Sequence, residues 1–294
     1  MLDQTLFDRF DQELSSQTGT SRRDALSTAG SLGAGLLVAA AVPSIFRSLL
    51  NPGLLFAQAA QPTVEQVLRF ALTLEYLEFE FYEQGLLMAG LIPAADRTIF
   101  QVFRDHERAH VLFLEGQLGL GRNAAKPDFD FTAGGAFPNW NTDYATYRAL
   151  AQGFEDTGVR AYKGQAPNLM SNKVALTAAL QIHSVEGRHA SVIRRRNGNY
   201  NEQAPQKGWI TGRQTGVVPA MVGSTAVGNA IYGPGSPAAS FPAEDNVTQG
   251  GVDLRTLTFT PALDGTPVDK ITESFDEPLD MQTVLAIAGL FIRS

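Results

Sequence analysis

The chain has 294 residues, 44% of them hydrophobic, with 30 acidic against 23 basic side chains, a net charge of −7 and no cysteine. That length makes one large domain or two ordinary ones, with ample apolar content for a core. The acidic balance, with no basic stripe beyond Arg194-Arg195-Arg196, argues against a nucleic-acid surface. The lack of cysteine excludes disulfides, iron–sulfur clusters, thiolate zinc sites and cysteine nucleophiles, so any metal must be held by nitrogen and oxygen.

Residues 1–60 read as an address and linker. Ser21-Arg22-Arg23-Asp24-Ala25-Leu26 stands directly before a Gly/Ala/Leu/Val-rich stretch, Ala29 to Val42, and resembles the twin-arginine export signal of bacteria. Ala57-Gln58-Ala59 offers a small-x-small cleavage site. The expectation is export by the twin-arginine machinery to a periplasmic or extracytoplasmic location, with a membrane anchor as the alternative if the signal stays uncleaved. Twin-arginine signals imply cargo that is already folded, often with its cofactor loaded.

From Thr63 the pattern turns helical. Thr63 and Gln66 form a capping-box signature, and Val64, Val67, Leu68, Ala71, Leu72 and Leu74 recur at helix spacing, which predicts a first helix to about Ala89. Gly90 and Pro93 separate it from a second, about Ala94 to Leu118, stopped by Gly119 and Gly121. A Gly/Pro/Asn/Asp-rich loop, Leu120 to Asn141, is long enough to cross from one end of a bundle to the other. A third helix is predicted over about Thr142 to Tyr162, weakened by Gly153 and Gly158 at roughly 1 kcal/mol each, and a fourth over about Ser171 to Arg195.

The two helix pairs repeat one another. Glu75 and Glu155 are each followed by a tyrosine seven residues on, Tyr82 and Tyr162. Glu75 precedes Glu107-Arg108-Ala109-His110 by 32 residues, and Glu155 precedes Glu186-Gly187-Arg188-His189 by 31. All four histidines of the chain, His106, His110, His183 and His189, fall in the two Glu-x-x-His helices. Residues three apart share a helix face, so each motif aims a carboxylate and an imidazole at one point. One such motif is more often an exposed pair, but two, joined by two matching glutamates on apolar faces, point to a metal, because four carboxylates do not stay buried without a cation. This is the donor arrangement of ferritin-like di-iron and di-manganese bundles.

Leu74 to Tyr82, with Asp105 to His110 and Phe154 to Gly158, resembles the exported ferritin-like domain family that includes desiccation-related proteins, over about Thr63 to Asn197. The resemblance implies Glu75 and Glu155 as terminal ligands, Glu107 and Glu186 as bridging carboxylates, and His110 and His189 as the imidazoles. It implies two iron or two manganese ions, iron placed first, since oxygen and imidazole donors suit these metals better than copper or structural zinc. Tyr82 and Tyr162 are expected beside the site, as hydrogen-bond donors or electron sources. Glu78, on the same face as Glu75, is a rival or additional ligand, while His106 and His183 lie one turn before a ligand and read equally as supporting or as structural histidines.

Beyond Asn199 helical periodicity disappears until Leu279. Leu254 to Thr260 alternates like a short strand, and Met281 to Ile292, with Asp280 as cap, predicts a fifth helix packing on the bundle. Phe275 to Leu279 again resembles the exported ferritin-like family. The expected architecture is all-α: a four-helix bundle over 61–198 with a long crossover, and a Gly/Pro-rich extension over 199–294 that could wrap the bundle, bind a partner or join subunits of a homo-oligomer. Two functions follow. One is a di-metal oxidoreductase, ferroxidase-like or manganese-catalase-like, acting on O2 or H2O2 in oxidative or desiccation stress. The other is a non-catalytic stress-related structural or interaction protein that keeps a stabilising metal site.

Overall fold

The computed structural model describes residues 61–198, 206–213, 230–256 and 267–293. The twin-arginine motif and the small-x-small site lie outside these residues. None of the described helices is long and apolar enough to cross a membrane.

Helix α1 (Val64–Leu87) opens on the predicted capping box: the Thr63 side chain accepts from Gln66 N at 3.2 Å and Gln66 Oε1 accepts from Thr63 N at 2.8 Å. After a turn through Gly90 (φ +78°), α2 (Ala94–Gln117) runs back beside it and ends at Gly119 (φ +64°), a left-handed position that glycine adopts without strain. Helix α3 (Tyr144–Gln165) is capped by Asp143, which accepts from Thr146 N at 2.8 Å, and α4 (Lys173–Asn197) by Asn172, which accepts from Ala175 N at 3.1 Å. Arg194, Arg195 and Arg196 occupy the last turn of α4, where cations meet the negative end of the helix dipole.

Cross-links give the helix directions. Tyr76 and Arg104 of the first pair reach Glu115 and Glu83, and in the second pair Glu186 lies against Gly158 while Asn197 reaches Arg148, so each pair is antiparallel. Tyr82 of α1 reaches Glu155 of α3 while Tyr162 of α3 reaches Glu75 of α1, so α1 and α3 are antiparallel too. Helices α2 and α3 must then point the same way, which is why a long crossover is needed. That crossover is itself part of the core: Phe131, Phe137 and Trp140 are buried. Phe81 lies at the middle of the cluster, stacked on Tyr147 at 4.5 Å and edge-on to Phe131 and Phe154.

Helix α3 is buried almost all round from Ala149 to Tyr162, with bundle on one side and extension on the other. A helix covered on every side draws its stability from packing rather than from propensity, which overrides the glycine cost expected from sequence. Its glycines serve close approach: a β carbon at Gly164 would fall 2.0 Å from the carbonyl oxygen of Leu279.

The extension is anchored by Arg160, a fully buried residue of α3. Its guanidinium donates to the carbonyls of Ile231, Gly233, Pro242, Glu277 and Pro278 and pairs with Glu244 at 2.8 Å. Of the strand expected over Leu254 to Thr260, residues 257–260 lie outside the described residues, and Leu254 to Thr256 forms a 3-10 turn, because Asp253 takes the backbone N–H of Arg255 (3.0 Å) and Thr256 Oγ1 donates to its carbonyl (2.7 Å). The strands of this region, β1 (Thr248–Gln249) and β2 (Val252–Asp253), form a two-residue hairpin just before it. After a short α5 (Pro267–Thr272), the expected C-terminal helix appears as α6 (Met281–Ala288), capped by Asp280 and prolonged by a 3-10 turn, Gly289–Phe291. It packs against α1 and α3, and backbone bonds between Asp130 N and Phe291 O (2.8 Å) and Arg293 N and Asp128 O (2.9 Å) tie it to the crossover.

Candidate metal centre

Each bundle helix delivers one glutamate to the middle of the core, and Glu75, Glu107, Glu155 and Glu186 are all completely buried. On α2 and α4 a histidine follows one turn later on the same face. The donor atoms of Glu75, Glu107, His110 and Glu186 lie within 4.8 Å of one another, as do those of Glu107, Glu155, Glu186 and His189. Glu107 and Glu186 belong to both sets. The structure therefore brings together all six residues that the sequence repeat singles out, as two overlapping groups of four.

Glu107 stands at the centre of the polar contacts. Its Oε2 is 2.9 Å from His110 Nδ1, and its Oε1 is 2.8 Å from His189 Nδ1. His110 Nδ1 is also 2.9 Å from Glu75 Oε2, and His189 Nδ1 is 3.3 Å from Glu155 Oε2. The tyrosines close the outer side crosswise, Tyr82 donating to Glu155 Oε1 and Tyr162 to Glu75 Oε1. Each therefore serves the glutamate of the opposite repeat rather than its own.

Without a cation this cluster is electrostatically costly. Burial pushes the Glu75 carboxyl up to about 7 even with His110 beside it. Burial and the neighbouring carboxylates push Glu186 and Glu78 well above the usual carboxylate range. Burial would also raise Glu107, but its contacts with His110 and His189 hold it down to about 2. Burial alone would lower both imidazoles, yet Glu75 and Glu107 beside His110, and Glu155 and Glu107 beside His189, push each up to about 10.

The donor set fits a pair of divalent cations. Both oxygens of Glu186 are buried without a hydrogen-bond partner among the described residues, and Oε1 of Glu107, Oε2 of Glu155 and Nδ1 of His189 are buried and meet one another closely without the alignment of a hydrogen bond. Those are the atoms the two groups of four share or aim inward, and orphaned buried polar atoms are costly unless something binds them. Four carboxylates match the charge of two divalent ions, and oxygen with imidazole is a donor set for iron or manganese.

The remaining expected residues divide. Glu78 is buried beside the centre but joins neither group of four. His106 Nδ1 is 2.9 Å from His189 Nε2, so it supports a candidate ligand from behind. His183 is half-buried, with Asp276 and Lys163 as its charged neighbours, and stands outside both groups. Sequence reading missed the polar residues on the far side of α3: Asp156, which accepts from Arg194 (2.6 Å) and Tyr232 (2.5 Å), and Arg160. The available signal was that Asp156 and Arg160 lie four residues apart, one helical turn, on a face distinct from that of Glu155.

Two antiparallel helix pairs, joined by a long crossover around a buried, paired carboxylate–histidine cluster, define a ferritin-like bundle. Residues 63–199 match the ferritin-like domain family, a span that opens on the N-cap of α1 and closes just past α4. Comparison with curated proteins and with solved structures returns no match.

Proposed function

We propose that this chain is an exported oxidoreductase whose di-iron or di-manganese centre acts on O2 or H2O2 and protects against oxidative or desiccation stress. The observation that carries the reading is the pair of overlapping four-residue groups sharing Glu107 and Glu186. Glu75, Glu107, His110 and Glu186 would hold one ion, and Glu107, Glu155, Glu186 and His189 the other. Held there, two such ions would supply two-electron redox chemistry toward O2 or H2O2, one electron from each. The protein residues position donors and exclude water: Phe103 stacks on the His189 ring at 4.2 Å, and Tyr82 and Tyr162 orient the terminal carboxylates. The residues of the Ser21–Leu26 motif support the exported location.

The test is elemental analysis of protein purified from its native host, with Glu107→Ala and His189→Ala alongside. Two ions per chain, lost in both variants, is the expected result; less than about half an ion per chain, unchanged by the substitutions, sinks the reading. A second reading, a structural or interaction protein with a stabilising metal, is favoured by the extension that Arg160 anchors to α3. Peroxide and oxygen consumption by metal-loaded protein separates the two: turnover equal to that of free metal, with a lower melting temperature after chelation, selects the structural one.

A further inference from the structure

The duplication is broken at one place in the centre. The eighty-residue offset that carries Glu75 to Glu155 and Tyr82 to Tyr162 carries Glu78 to Gly158. A β carbon added at Gly158 would lie 3.3 Å from Glu78 Oε1 and 3.2 Å from Glu186 Oε2. Helix α3 thus lacks a side chain at the spot where Glu78 of α1 enters, next to a shared carboxylate whose two oxygens have no hydrogen-bond partner. Glu78 is only 3% exposed, and no hydrogen-bond donor among the described residues serves it. A cavity of about 10 Å³, the size of one water molecule, is lined by Glu78 and Gly158 together with Leu74, Leu77, Phe154 and Thr157, so the carboxylate is not locked in place by packing. Burial and the charges of Glu155, Glu107 and Glu75 all disfavour an ionised Glu78 in the absence of a cation.

We infer that Glu78 is a seventh protein ligand, bound to one ion of the pair, which makes the two metal positions unequal and stabilises their oxidised state. This rests on the di-metal reading above. Four carboxylates balance two divalent ions. A fifth leaves the divalent pair with surplus negative charge and offsets the charge gained when the ions become trivalent, so the reduced pair is the better electron donor. Gly158 is the positioning feature that keeps the space for it.

The experiment is anaerobic titration with ferrous iron, followed by potentiometry and Mössbauer spectroscopy of iron-57-loaded protein, on wild type, Glu78→Gln, Glu78→Asp, Gly158→Ala and Glu107→Ala. Glu78→Gln is expected to keep two irons per chain, bind one of them roughly tenfold or more weakly, move the midpoint potential upward, and bring the two iron signals closer together. Gly158→Ala, whose added carbon crowds Glu78 Oε1 and Glu186 Oε2 alike, is expected to change the same readouts in the same direction by less, and Glu78→Asp, which keeps the charge but withdraws it by one methylene, decides the matter if Glu78→Gln does not fold. Wild-type affinity, potential and spectra in the folded Glu78 variants would overturn the role of Glu78 while leaving the di-metal reading intact. Failure of wild type to bind iron any better than Glu107→Ala would overturn both.

Discussion

His106 and His189 are joined ring nitrogen to ring nitrogen, Nδ1 to Nε2 at 2.9 Å, with their rings nearly parallel at 7°. The contact takes up the outward nitrogen of His189 and leaves its Nδ1 facing Glu107 and Glu155. A neutral His189 that donates from Nε2 has a free lone pair on Nδ1, the form a metal requires. The second repeat has Val185 where the first has His106, so this support exists for one imidazole only.

His106→Phe is therefore expected to weaken binding of one ion by roughly 10- to 100-fold while leaving the other nearly unchanged. Competition with a chelator of known affinity resolves the two steps. Equal loss at both, or none, would remove His106 from the site.

The crossed tyrosines predict a stability effect. Tyr82→Phe and Tyr162→Phe each remove the donor from a fully buried carboxylate oxygen, Glu155 Oε1 and Glu75 Oε1. An unserved buried acceptor costs about 1–3 kcal/mol, so metal-free protein carrying either substitution should unfold at correspondingly lower denaturant. Wild-type midpoints for both would mean that these hydroxyls bear no weight.

Metal-free protein should lose stability as the solution becomes basic. His110 and His189 have folded values of about 10 against an ordinary 6.5, so their stabilisation is complete below pH 6.5 and is lost as pH rises to 10. Glu75, raised from 4.5 to about 7, binds its proton more tightly when folded, and its contribution declines from pH 4.5 to 7. Glu107, held down to about 2, acts oppositely and only in acid, its stabilisation being lost as pH falls from 4.5 to 2. Melting temperature should thus fall steadily between about pH 5 and 10. Metal loading should flatten the profile and release protons into a weakly buffered solution. A metal-free protein that melts higher at pH 9 than at pH 6 contradicts this.

Arg160 predicts how firmly the extension is held. Arg160→Ala leaves five carbonyls without a donor and should cost about 3–5 kcal/mol, with early cleavage between residues 230 and 256 in limited proteolysis. Burial pushes its partner Glu244 up to about 8 against the pull of Arg160, so its charge contributes less than the carbonyl contacts and Glu244→Gln should be far milder. Equal losses from the two substitutions would show that the ion pair, rather than the carbonyl cage, is the anchor.

Much of the bundle was legible because it rests on local signals. Thr63 and Asp280 announce as caps the helices they open, Asp143 and Asn172 cap α3 and α4 one residue past their expected starts, and the helices follow an apolar period readable along the chain. The glutamates and histidines were legible for another reason: a duplicated spacing survives in sequence even when its partners are far apart. The extension resisted reading because its order comes from one distant residue. Nothing between 230 and 256 announces that its carbonyls converge on a guanidinium from α3.

The sequence by itself determined the four helices, the crossover between them and the six residues that converge. Helix periodicity and the repeat are properties of spacing alone. Only the tertiary structure decided that α1 and α3 run antiparallel, so that Tyr82 serves Glu155 and Tyr162 serves Glu75. It also decided that His106 backs His189 while His183 stands apart, and that Gly158, a weak point in a helix, is the space Glu78 needs. These are relations between faces of different helices, set by how the bundle packs, and no one-dimensional pattern carries them.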